Sequence, residues 1–128
     1  MGFVRIDRRT LQSVAAPNVF ALGDATNAPI SKAGSVAHFQ GRTLVANVLH
    51  QLAGEPLEPS YDGHANCFVE TGHGKALLVD FDYDREPLPG RYGPLPLLRE
   101  SRLNHLGKRL FEQVYWHVVL PGRELKGA

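Results

Sequence analysis

Three groups of residues in this 128-residue chain have types and spacings that do chemistry. The first is Asp24, which follows the apolar run Val19-Phe20-Ala21-Leu22 and Gly23. Its carboxylate therefore stands at the carboxyl end of a strand, on a turn that a glycine makes flexible. From that position a carboxylate accepts hydrogen bonds from ligand hydroxyls; a cap on the following turn is the alternative. The second group is Lys32-Ala33-Gly34, at the start of a helical run. The first N–H groups of a helix lack intrahelical acceptors and carry partial positive charge. Set against an electron-accepting ring they stabilise its reduced form, and Lys32 adds to that. A solvated lysine in a first helical turn is the plainer account. The third is Cys67, the single cysteine, with His64 and His73 near it in sequence. An imidazole facing the sulfur favours the thiolate, whereas a lone cysteine on an apolar strand also serves as a small core residue. His64, Cys67 and His73 are spaced too unevenly to read as a metal site.

Periodicity supplies the elements that hold these residues. Phe3 to Asp7 alternates apolar and charged residues and reads as a short strand; Val19 to Leu22 reads as a second. Pro29 and Ser31 mark a helix start, with Ser31 as N-cap. The helix runs from Lys32 to Gly54, with Val36, Phe39, Thr43, Ala46 and Leu49 on one face and mostly buried. Gly34 and Gly41 inside it imply close approach by a backbone or ligand. Asn66 to Thr71 and Lys75 to Tyr83 form a hairpin about Gly72-His73-Gly74. Asp84 to Pro96, with four prolines and two glycines, reads as irregular. A last helix spans Leu98 to Leu120. Its stripe of Leu103, Leu106, Leu110, Val114 and Val118 is joined by Tyr115 and Trp116. Between Arg99 and Lys126 stand six Lys/Arg against three Glu. Such a helix lies on an anionic membrane surface, or packs as an ordinary amphipathic helix or dimer contact.

Bulk properties narrow the classes. A net charge of +1 gives no electrostatic case for nucleic acid as a partner. There is no run of 18 apolar residues and no signal-like N-terminus. One cysteine excludes an internal disulfide and fits a reducing compartment. The expected location is cytoplasmic, or peripheral on the cytoplasmic membrane. No complete βαβ unit or G-x-G-x-x-G is present.

The stretches "NVFALGDA" and "SKAGSVAHFQG" resemble the second FAD-binding motif of the two-dinucleotide-binding-domain flavoproteins. Within that superfamily, "GDATNAPISKAGSVAHF" with "YDGHANCFVETGHGKALLVDF" is similar to sulfide:quinone oxidoreductases. The resemblance implies FAD as cofactor, sulfide and quinone as substrates, and an N-terminal flavoprotein portion that precedes these motifs. It implies that Asp24 binds a ribitol hydroxyl, with Gly23 keeping the backbone close. Lys32, Ala33 and Gly34 would then face the pyrimidine end of the flavin, and Cys67 would be the redox cysteine.

The expected fold is α/β, or α+β for this piece by itself, as a partial C-terminal part of such a flavoprotein. Residues 1–56 would close the FAD-binding domain, 57–96 form the hairpin and connector, and 97–128 form the amphipathic C-terminal helix. Two rival readings share the same residues. A type II NADH:quinone dehydrogenase would use Asp24 and a membrane-facing C-terminus but has no need of Cys67. A non-catalytic module would only form a homo-oligomer or bind membrane.

Overall fold

The computed structural model describes residues 2–123. In order along the chain are a 3₁₀ turn at Gly23–Ala25, α1 at Gly34–Ala53, and strands β1 at Ala65–Gly72 and β2 at Lys75–Phe81. Strands β3 at Gly90–Tyr92 and β4 at Leu95–Leu97 follow, then α2 at Arg102–Val114 and a π-helical turn at Tyr115–Val119. The four strands form one mixed sheet in the order β1-β2-β4-β3, and with the two helices the chain is α+β. Two compact units divide it: Met1–Cys67 with Asp80–Pro87, and Phe68–Val79 with Leu88–Ala128.

In the first unit the two expected strands, 3–7 and 19–22, contribute only single bridges. Val4 pairs with Thr26 in parallel, and Ile6 with Ser13 and Gln12 with Phe20 antiparallel. The chain reverses too soon for longer ladders. Asp7 Oδ1 accepts from the N–H groups of Arg9 and Thr10, closing a turn, and Leu11 has φ +65°. Leu11 is nonetheless fully buried, in a core with Ile6, Ala28, Val36, Tyr61 and Ala65.

Helix α1 begins two residues later than its sequence implies. Ala33, not Ser31, is the N-cap residue, in extended backbone and without a side-chain cap. Gly54 closes the other end at φ +71°, its N–H bonded to Gln51 and His50 carbonyls. The helix is also less buried than expected. Its buried line is Val36, Gln40, Thr43 and Asn47, while Val45, Leu49 and Leu52 are exposed. Three of those four buried residues are polar, and each ties the helix to a loop. Asn47 Nδ2 donates to the carbonyls of Thr10 and Glu58 at 3.0 and 2.9 Å, and its Oδ1 accepts from Glu58 N–H at 2.7 Å. Thr43 Oγ1 and Ser60 Oγ stand 2.9 Å apart. Gly34 and Gly41 face open space, since an added Cβ at either meets nothing within 4 Å.

In the second unit, the segment expected to be irregular holds a small hairpin. Gly90, Arg91 and Tyr92 pair antiparallel with Leu97, Pro96 and Leu95, and β4 joins β2 in parallel through Leu78 and Leu97. The last helix starts at Arg102 rather than Leu98, with Ser101 Oγ accepting from Asn104 N–H at 3.0 Å. Buried Asn104 binds the carbonyls of Pro96 and Arg99 at 2.9 and 3.0 Å. Gly107 leaves room for Leu95, whose methyls would stand 3.3 Å from an added Cβ. The helix thus packs through small and polar residues and leaves Leu103, Leu106, Leu110 and Phe111 exposed. Glu124 and Lys126 lie outside the described residues.

Candidate functional site

The Asp24 turn is built on α1. Gly23 has φ +61°, and a Cβ there would stand 3.2 Å from Ala37 Cβ. The glycine therefore serves close approach to the helix as well as the left-handed backbone. Its N–H donates to Oε1 of fully buried Gln40 at 2.6 Å, and its carbonyl accepts from Thr26 Oγ1 at 2.9 Å. The turn has no side-chain cap, so Asp24 caps nothing. Its side chain is exposed, and no hydrogen bond or ion pair occupies it among the described residues.

Lys32 turns back onto the preceding loop. Its Nζ donates to the Thr26 carbonyl at 2.5 Å and lies 4.9 Å from the Phe3 ring centroid. It closes the loop between the Asp24 turn and α1. Ala33 and Gly34 then present the helix start, whose leading N–H groups no side chain caps.

Cys67 lies on β1 and is exposed, so it is not a core residue. The strand is fastened to the start of α1 just before it. Ser35 Oγ donates to the Asn66 carbonyl at 2.6 Å and lies 3.4 Å from Asn66 N–H. Of the two histidines near Cys67 in sequence, His73 sits exposed in the two-residue hairpin turn with φ +50°. His64 is engaged elsewhere: Nε2 lies 3.0 Å from Asp80 Oδ2, and the ring stacks on Phe39 at 4.4 Å and 17°. His64 backbone is fixed as well, its N–H donating to Asp62 Oδ1 and its carbonyl accepting from Tyr61 Oη. Burial of Tyr61, with the Tyr83 and Asp62 charges, pushes its phenol well above the ordinary range and keeps it a donor. Half-buried His64 and Asp80 form an oriented imidazole–carboxylate pair at the foot of the strand that carries Cys67.

Helix α1 is therefore the common scaffold. Gln40 holds the turn bearing Asp24, Ser35 holds the strand bearing Cys67, and the helix start lies between them in sequence. Sequence reading missed Ser35, Gln40 and Asp80, because each acts through a polar contact between residues far apart in the chain. Among the described residues, no group of three or more His, Cys, Asp or Glu is arranged to hold a metal ion. No described helix is long and apolar enough to cross a membrane.

No family model matches the chain. The mitochondrial sulfide:quinone oxidoreductases of Dictyostelium discoideum and Schizosaccharomyces pombe are each 37% identical to it over 123 residues, covering 95% and 93% of this chain. The match falls in the C-terminal part of those enzymes, and this chain is similar to that part of a sulfide:quinone oxidoreductase. It spans 27% of the length of those two relatives. A chain in the cryo-EM structure of the Tetrahymena thermophila mitochondrial ATP synthase is also similar, with a TM-score of 0.61 and 33% identity. That match covers 64% of this chain and 20% of the other. The matches to sulfide:quinone oxidoreductases run through nearly all of this chain, so the turn, helix start and strand described above lie within the span similar to those enzymes.

Proposed function

We propose that the chain is the C-terminal portion of a flavoprotein that oxidises sulfide and passes the electrons through FAD to quinone. The observation that carries this reading is the Ser35–Asn66 hydrogen bond of 2.6 Å, which fastens the start of α1 to the residue before Cys67. A helix start suited to an electron-accepting ring and a cysteine suited to sulfur are thereby held in one local structure.

The residues present fit the cofactor. Asp24 has a carboxylate without a partner among the described residues, the start of α1 is uncapped, and Gly34 leaves open space beside it. FAD, when bound, supplies the two-electron acceptor between sulfide and quinone. Asp24 accepts hydrogen bonds from ribitol hydroxyls, and the Gly34 end of α1 presents N–H groups to the pyrimidine edge. Lys32 contributes by holding the loop and by its charge. Sulfide would attack a disulfide between Cys67 and a cysteine of the N-terminal portion: a new S–S bond forms to one sulfur as the old one breaks, and the electron pair of the released thiolate would go to the bound FAD.

The exposed apolar face of α2 supports a location at the periphery of a quinone-bearing membrane. Leu106 on α2 is 50% exposed and Trp116, in the π-helical turn that follows, is 54% exposed, while Arg102, Lys108 and Arg109 lie on α2. Apolar residues flanked by cations suit an anionic interface.

Stopped-flow reduction of the complete flavoprotein separates this reading from its rival. Sulfide reduces the flavin in a sulfide oxidase, whereas NADH does so in a type II dehydrogenase. Reduction by NADH and not by sulfide would displace the proposal.

A further inference from the structure

We propose that Gln40 is the positioning residue for the Asp24 carboxylate. Its Oε1 accepts from Gly23 N–H at 2.6 Å, and the side chain is fully buried. The amide orientation is fixed, because only the oxygen can face a donor. The other end of that amide is the informative part: Nε2 is buried with no hydrogen-bond partner among the described residues. An unpaired buried donor is destabilising. A methionine of similar length would fill the same space without that penalty. What glutamine alone supplies is the acceptor for Gly23 N–H.

Gly23 is constrained in type as well: its backbone lies at φ +61°, which glycine adopts without strain and other residues do not, and an added Cβ would stand 3.2 Å from Ala37. An unpaired buried amide and a position that requires glycine meet at one short turn, and what that turn projects outward is Asp24. A buried donor left unpaired beside a conformationally demanding turn marks a geometry held for function. Gln40 fixes the first residue of the turn to α1, and Thr26 closes its far end through the Gly23 carbonyl. Asp24 is thereby aimed relative to the same helix whose start faces the ligand. This inference rests on the reading of Asp24 as a hydroxyl-binding residue.

The test is backbone amide exchange at Gly23 in the 128-residue chain, in wild type, Gln40→Met and Gln40→Glu, with α1 amides as internal controls. Gln40→Met should speed exchange at Gly23 about tenfold without a matching change at Val36 and Thr43. Gln40→Glu keeps an acceptor oxygen and should restore protection. Should Gln40→Met fail to fold, Gln40→Asn keeps the amide but is one methylene too short, and should behave as stated for Met. Unchanged exchange at Gly23, or equal acceleration throughout α1, would overturn the proposal. No flavin enters this measurement. A normal flavin affinity in Asp24→Asn complete flavoprotein would defeat the ligand reading while leaving the result for Gln40 in place.

Discussion

Ser35 Oγ donates to the carbonyl of Asn66 at 2.6 Å, so the first turn of α1 and the residue before Cys67 are joined by one short hydrogen bond. The contact is partly buried and spans 31 residues of sequence. It makes the position of the cysteine a consequence of where the helix starts. Replacing Ser35 with alanine should lower stability by about 1 kcal/mol. It should also loosen β1 locally, so that Cys67 reacts faster with a thiol reagent. Chemical denaturation and alkylation rates check both; unchanged rates would mean that the strand is held by other contacts.

Two glycines near the proposed cofactor contacts should respond oppositely to alanine. Gly23→Ala meets Ala37 at 3.2 Å in a left-handed backbone and should cost at least ~1 kcal/mol. Gly34→Ala enters open space at the start of α1 and should stabilise the fold by up to ~0.5–1 kcal/mol. In the complete flavoprotein the same methyl stands beside the proposed ring edge, so flavin affinity should fall as stability rises. Thermal melts and flavin titration of each variant measure the two effects.

Much of this arrangement was legible in sequence because it depends on short patterns. The turn at Gly23-Asp24, the helix stop at Gly54 and the hairpin about His73-Gly74 each follow from local backbone chemistry. What escaped notice depends on distant partners. The buried line of α1 runs through Gln40, Thr43 and Asn47, which an apolar-periodicity count passes over. Ser31 looked like a cap, but Lys32 folds back to Thr26 and the helix begins only after Ala33. The strand at Leu95–Leu97 forms because Leu97 pairs with Leu78 in a parallel ladder, a contact that the local run of prolines and glycines conceals.

The second unit should show a carboxylate-dependent loss of stability in acid. A hydrogen bond from Lys108 and its charge, aided by His105, hold the Glu70 carboxyl below the ordinary carboxylate range. A carboxyl depressed in the folded state stabilises it above the unfolded value, roughly pH 4.3. That contribution is lost as pH falls through the lower folded value. The melting-temperature difference between wild type and Glu70→Gln should therefore be present at pH 6 and shrink below about pH 4. It should also diminish in high salt, because the pair is exposed. A difference that persists at pH 3 would assign the effect to packing.

Trp116 is the single tryptophan, exposed in the π-helical turn that directly follows α2, and it reports on that end of the helix. Vesicles containing anionic lipid should shift its emission to shorter wavelength, and neutral vesicles should do so less. Replacing Lys108 and Arg109 with glutamine should weaken the anionic preference. Emission unmoved by either vesicle would remove the membrane reading of this helix.

In the proposed function, sulfide oxidation at the flavin depends on Cys67. The direct measurement is the rate of flavin reduction by sulfide in the complete flavoprotein carrying Cys67→Ser, followed by flavin absorbance. Cys67→Ser should slow reduction at least about a hundredfold while FAD remains bound, the scale expected when a nucleophile is removed. Reduction at the wild-type rate would contradict it.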